Sequence, residues 1–131
     1  MNATAHDIMS KPVEVVRITD SLLTVARLFN EKNIGAAAVL DKNGKPIGVI
    51  TKTDLLLYQT SHDGIRTNNV ENWMTQIIFA LKPSTPIKEV ARRMVRYGIH
   101  HIFVHETKDS PLLGIVSSFD ILRYVAAEGR P

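Results

Sequence analysis

"NIGAAAVLDKNGKPIGVITKTDLL", residues 33–56, is the stretch on which the fold turns. Asn33, a residue type that tolerates the left-handed backbone of a helix stop, precedes an apolar run at 34–40, a polar "KNGK" at 42–45 and a second apolar run at 46–51. Two such runs about an Asn-Gly turn predict a β-hairpin. Its far end carries Thr51 and, three residues on, Asp54 before two leucines. A hydroxyl and a carboxylate at that spacing predict the start of a closing helix.

The end of the stretch is written twice: "GVITKTDLL" at 48–56 returns as "GIVSSFDIL" at 114–122. Working backwards, an offset of 65 pairs Met9 with Met74, Val25 with Val90 and Ile34 with Ile99. Past "DKNGKP" at 41–46 and "HETKDSP" at 105–111 the offset is 66, so the extra residue falls in a turn, where it disturbs least. The chain is an internal duplication.

Each copy reads alike. Val13, Val15, Val16 and Ile18 predict a short strand, matched by "QIIFAL" at 76–81. Leu22, Val25, Ala26 and Phe29 recur at helical spacing, as do Ile87, Val90, Ala91 and Met94. Thr19 or Asp20 is expected to cap the first of these helices, and Thr85, with Pro86 at the first helical position, the second. The stops are expected at Asn33 and Gly98. Strands over 34–40 and 46–51 have counterparts at 99–104 and 111–117. Each copy is therefore β-α-β-β-α, giving an α/β (α+β) fold. A copy of about 60 residues buries too little surface to stand alone, so the two are expected to pack on each other. The boundaries read as 1–60 for the first repeat, 61–69 ("SHDGIRTNN") for the linker and 70–131 for the second repeat.

Composition bounds the function. With 131 residues, 44% hydrophobic and 22% charged, the chain reads as globular rather than disordered. It has no cysteine, which excludes disulfides and thiolate metal sites and agrees with a reducing cytoplasm. "MNATAHDIMSKP" lacks a signal-peptide pattern, and the apolar run at 34–40 is far too short to cross a bilayer, so a soluble cytoplasmic protein is expected. The formal charge of +3 is dispersed, the densest cluster being "ARRMVR" at 91–96. Arg92, Arg93 and Arg96 on one helix read as a solvated face, which makes nucleic acid an unlikely partner. No nucleophile elbow or phosphate loop occurs, and the duplicated Asp pair forms no catalytic carboxylate motif, so no enzyme and no catalytic residue is proposed.

The candidate chemistry lies at the two strand-to-helix junctions. A helix amino terminus favours anions, Thr51 and Ser117 can hydrogen-bond a phosphate, and an Asp carboxylate can accept from both hydroxyls of a ribose. The same residue types are also the preferred helix caps, and duplication would duplicate caps as readily as sites.

Taken together, "DIMSKPVEV" at 7–15, "NWMTQIIFA" at 72–80 and the stretches 33–56 and 97–122 resemble a tandem pair of CBS domains, the Bateman module, over residues 5–126. Ala38 and Phe103 stand where that family commonly has proline. The resemblance implies two repeats packed about a pseudo-twofold axis into one regulatory module, with clefts that take AMP, ADP, ATP or S-adenosylmethionine as regulatory ligand rather than as a required cofactor. It implies ribose contacts from Asp54 and Asp120, and phosphate or ribose contacts from Thr51, Ser117, His100, His101, Gly35 and Ala36. The adenine wall would be Ser10, Lys11, Val13, Thr75, Gln76, Ile77, Ile34 and Ile99. Because the repeats cross over, Ser10, Lys11 and Val13 would belong with Asp120, and Thr75, Gln76 and Ile77 with Asp54. The two sites are expected to differ, the one with Asp120 being the better phosphate binder, since His100 and His101 stand where the first copy has only Gly35 and Ala36.

"HHIFVH" at 100–105 invites a metal reading, but in a strand His101 and His105 are about 13 Å apart and His100 faces the other way. No metal site is assigned. His6 and His62 read as surface residues, and Met9, Trp73 and Met74 as core or cleft wall. The expected assembly is a homodimer. With no output domain in the stretch, occupancy would have to be signalled to a separate protein partner by a change in packing. Two rival readings are a structural interaction module with empty clefts and a nucleic-acid binder using Arg92, Arg93, Arg96 and Arg123.

Overall fold

A computed structural model describes residues 2–61, 68–76, 79–107 and 109–128. The chain divides into two compact units, one formed by Glu14–Ile78 and the other by Met1–Val13 with Phe79–Pro131.

In the Glu14–Ile78 unit, β1 (Val15–Arg17) leads through α2 (Leu22–Lys32) to β2 (Ala36–Leu40), which is followed by β3 (Pro46–Thr51), α3 (Lys52–Ser61) and β4 (Thr75–Gln76). The label α1 belongs to a short turn of helix, Ala5–Ile8, in the other unit. The sheet runs β1-β2-β3-β4, with β1 parallel to β2 and both later pairings antiparallel. A parallel neighbour needs a crossover, and α2 supplies it. Its residues Leu22, Val25 and Phe29 are buried against Val16, Val39, Ile50, Tyr58 and Val70. The "KNGK" hairpin forms: Asp41 N–H donates to the Lys45 carbonyl at 2.9 Å, and the Asp41 carboxylate accepts from the Asn43 and Lys45 amides, both at 2.9 Å.

The second unit repeats the plan: β5 (Ala80–Leu81), α4 (Ile87–Tyr97), β6 (His101–Val104), β7 (Gly114–Ser117) and α5 (Ser118–Glu128). Its sheet is β5-β6-β7, parallel and then antiparallel. Val90 and Met94 of α4 pack with Leu81, Ile102, Val104 and Val116, and Ala5 of α1 joins the same cluster. The α1 turn is held by a reciprocal box between Thr4 and Asp7. The Thr4 amide and hydroxyl hold the Asp7 carboxyl below its usual range.

Asn33 and Gly98 end α2 and α4 in the left-handed region, at φ 53° and 64°. Both helix starts differ from the expected ones. Ser21 caps α2, its hydroxyl accepting from Thr24 N–H at 3.1 Å, because the Asp20 carboxylate is spent on the Arg17 amide at the end of β1. Pro86 is itself the cap position of α4 and makes no side-chain cap. The Thr85 carbonyl accepts from the Ala5 amide, tying α1 to the start of that helix.

The single strand expected over 76–81 is two strands. Thr75 and Gln76 pair antiparallel with β3, whereas Ala80 and Leu81 pair parallel with β6, so the chain changes sheets between them. Ile77, His62 and most of the 61–69 stretch lie outside the described residues. The strand expected over 46–51 is found at those bounds, whereas those expected over 34–40, 99–104 and 111–117 start later, at Ala36, His101 and Gly114.

Candidate ligand-binding site

Each hydroxyl–Asp pair sits where its last strand becomes its last helix. In the Glu14–Ile78 unit the Asp54 Oδ2 accepts from the Thr51 amide at 2.8 Å and the Thr51 hydroxyl at 3.0 Å, while the Asp54 amide donates back to Thr51 Oγ1 at 3.2 Å. In the other unit Asp120 Oδ2 accepts from the Ser117 amide at 2.7 Å, and the Asp120 amide donates to Ser117 Oγ at 3.1 Å. Both are capping boxes, closing helix amides that would otherwise lack partners.

The outer oxygens differ. Among the described residues nothing bonds Asp54 Oδ1, and the residue is only partly buried. Asp120 is 4% exposed, and its Oδ1 is held by the guanidinium of Arg123. Asp54 thus presents a ready acceptor, whereas Asp120 must first exchange Arg123. Sequence reasoning had placed Arg123 only on an outer surface. The i,i+3 spacing from Asp120 was the available signal.

The strand that precedes each hairpin meets the same junction. The Gly35 carbonyl accepts from Lys52 N–H and the His100 carbonyl from Ser118 N–H, both at 2.9 Å. Ala36 is registered opposite Thr51, and His101 opposite Ser117. Gly35, Ala36, Thr51 and Asp54 therefore cluster in one unit and His100, His101, Ser117 and Asp120 in the other. His100 is exposed and His101 half-buried. A Cβ on Gly35 would stand 3.2 Å from Lys52 Cδ, so that lysine lies across the glycine. Lys52 is a cation the sequence reading missed, because only the fold brings it over Gly35.

The opening segments are exchanged. Ser10 pairs with Ile115 of β7 through reciprocal amide–carbonyl bonds of 2.9 and 3.2 Å, and Thr75 is registered opposite Val49 of β3. These are equivalent positions of the two repeats. Each unit thus takes its strand–helix junction from one repeat and its opening segment from the other. The exchanged segments approach closely: a Cβ on Gly48 would lie 2.7 Å from the Thr75 carbonyl oxygen, and one on Gly114 2.7 Å from Met9 Cγ. Ser10, Lys11, Thr75 and Gln76 are exposed, and Val13 is half-buried. Ile34, Trp73 and Met74 lean on the core of one unit, and Met9 and Ile99 on the core of the other.

His105 is buried, with Nδ1 at 3.0 Å from the Ser110 carbonyl oxygen, and β6 ends before it. No group of three His, Cys, Asp or Glu suited to a metal occurs among the described residues. None of their helices is long and apolar enough to cross a membrane.

Comparison with known proteins places this geometry. The CBS domain family model matches residues 5–61 and again 70–127. A homoserine O-acetyltransferase of Methanococcoides burtonii is 29% identical over 124 residues, 95% of this chain but 24% of that protein. An uncharacterised protein of Methanocaldococcus jannaschii, MJ1225, is 26% identical over 98% of this chain and 45% of its own length. The chain therefore spans less than half of either relative. The CBS domain pair of protein MJ0100, solved in complex with 5′-methylthioadenosine and S-adenosyl-L-methionine, superposes with a TM-score of 0.80 at 26% identity, covering 98% of this chain and 99% of that one. Matched twice along its length and folded as such pairs are, the chain belongs to the CBS domain family as a tandem pair.

Proposed function

We propose that the chain is a regulatory module, without catalytic activity of its own, that binds adenosyl ligands at its two hydroxyl–Asp junctions. The observation that carries the reading is the Oδ1 of Asp54, unbonded among the described residues, beside Thr51, Gly35 and Lys52 and in the same unit as the exposed Thr75 and Gln76. A carboxylate pinned through one oxygen and open at the other is pre-organised to accept from a vicinal diol. Thr51 and Lys52 would meet the ligand's charged end in that site, and Ser117, His100 and His101 in the other. The exchanged Ser10–Val13 and Thr75–Ile77 segments would flank adenine, with Ile34 and Ile99 behind. The likeness to a CBS pair solved with two adenosyl compounds supports the ligand class. AMP, ADP and ATP are the nucleotide candidates and S-adenosylmethionine the other.

The test is a thermal-shift panel with those four ligands on wild type and on Asp54→Ala, Asp54→Asn, Asp120→Ala and Asp120→Asn. A ligand at 100 times its Kd should stabilise wild type by about 2.7 kcal/mol. Each alanine should also cost about 1 kcal/mol without ligand, from the lost cap. Asparagine keeps a cap acceptor while weakening the diol contact, so it separates the two roles. Loss of response in the Asp54 variants, with a weaker dependence on Asp120, is the expected result. No shift with any ligand would leave a structural module with capped helices. The engagement of both Asp120 oxygens favours that second reading at its own junction.

Binding would be transmitted to a protein partner by favouring one packing of the repeats over another, to the extent that the ligand binds it more tightly. The repeat boundaries 1–60 and 70–131, with 61–69 as linker, belong to this proposal, as does a homodimer. In support of the dimer, α3 exposes Leu56 and Leu57, and α5 exposes Phe119 and Leu122, each by more than half. Leu56 and Leu122 are equivalent positions. Leu56→Glu with Leu122→Glu should convert the dimer to monomer in light scattering; an unchanged mass would remove these helices from the interface.

A further inference from the structure

The outward side of α4 is more than a solvated face. With Ile87, Val90 and Met94 buried, helical spacing turns Glu89, Arg92, Arg93 and Arg96 away from that stripe, and Tyr97 borders it at the end of the helix. Phe79, just ahead of β5, stacks on Tyr97 with ring centroids 4.1 Å apart and planes 28° from parallel. Together these six residues line an open groove of about 450 Å³ within one unit.

The groove's charges are only loosely balanced. Glu89 reaches Arg93 at 3.4 Å and Arg92 at 3.8 Å, long contacts at the surface. Such pairs are worth less than about 1 kcal/mol and yield readily to a better anion. Arg96 pairs with no carboxylate among the described residues, and its guanidinium stands 5.6 Å from the centre of the Tyr97 ring. Three guanidiniums against one carboxylate leave two positive charges beside an aromatic wall.

We propose that this groove is a separate binding site for a small phosphate monoester carrying a flat ring. A monoester dianion matches the two excess charges, guanidinium forks suit phosphate oxygens, and the stacked rings offer an apolar wall for the ligand's body. The volume falls within the range of small-molecule pockets. A polynucleotide fits less well, because among the described residues the lining holds no cation beyond the three arginines to carry a longer run of phosphates.

The probe is 4-methylumbelliferyl phosphate, titrated into isotope-labelled full-length chain by NMR with arginine Nε–H detection. The expected result is saturable shifts at Arg93, Arg96 and Tyr97, at least tenfold weaker binding to Arg96→Gln, and partial weakening in Arg93→Gln. Both arginines are surface residues, and circular dichroism checks that each variant folds. Binding should be unchanged in Asp54→Asn/Asp120→Asn, which separates this groove from the hydroxyl–Asp junctions. It should weaken as pH falls below about 6, where the monoester loses its second charge. Equal binding of phosphate-free 4-methylumbelliferone, or dependence on the two aspartates instead of Arg96, would overturn the proposal. Tighter, Arg96-dependent and steeply salt-sensitive binding of a twelve-residue oligothymidylate would overturn it in favour of single-stranded nucleic acid.

Discussion

Gly48→Val is expected to destabilise the protein by about 1–3 kcal/mol and to abolish the ligand response that depends on Asp54. The new Cβ would stand 2.7 Å from the Thr75 carbonyl oxygen and 2.9 Å from Met74 Sδ. A methionine sulfur can swing aside. The carbonyl cannot, because Thr75 is registered to Val49 in the same ladder, so β4 must lift from β3. Gly114→Ala provides the comparison, since a Cβ there would meet the Met9 side chain. Pairing it with Met9→Ala should recover most of its cost, whereas Met74→Ala should recover little of the cost at position 48. A double-mutant cycle in urea measures both couplings. A Gly48→Val protein within 0.5 kcal/mol of wild type, by the usual spread for harmless substitutions, would mean that β4 does not approach β3 as described.

Ile102→Ala is expected to cost more, about 2–5 kcal/mol, because Ile102 is fully buried on the central strand of its sheet and truncation leaves a cavity. The loss should appear in urea titration as a lower midpoint with an unchanged slope. Hydrogen exchange makes the prediction sharper. Ala5 belongs to the same core cluster as Ile102, so amides of α1 should lose protection along with β5, β6 and β7. Loss confined to the three strands would detach α1 from that core.

What the chain disclosed in advance was what short-range chemistry controls. The "KNGK" turn and the stops at Asn33 and Gly98 follow from residues that accept unusual backbone angles, and the burial of Leu22, Val25 and Phe29 follows from helical spacing. The start of α2 was missed by one or two residues for an equally physical reason. Thr19, Asp20 and Ser21 can all cap, and which one does so depends on Asp20 serving the end of β1. The division of 76–81 into two strands was hidden because an apolar run does not name its partner. At the candidate site, the junctions were legible from the repeated hydroxyl and Asp. The Arg123 contact and the lysine lying across Gly35 were not, since a side chain's direction is settled by the fold around it.

The exchange of opening segments puts the genetic repeat and the spatial unit out of phase. A gene divided between the repeats would yield two polypeptides, each lacking the arm that completes it and carrying the arm that completes the other. Such halves would have strong reason to find one another, and two intact chains could trade the same arms, so domain swapping is a route to association already written into this topology.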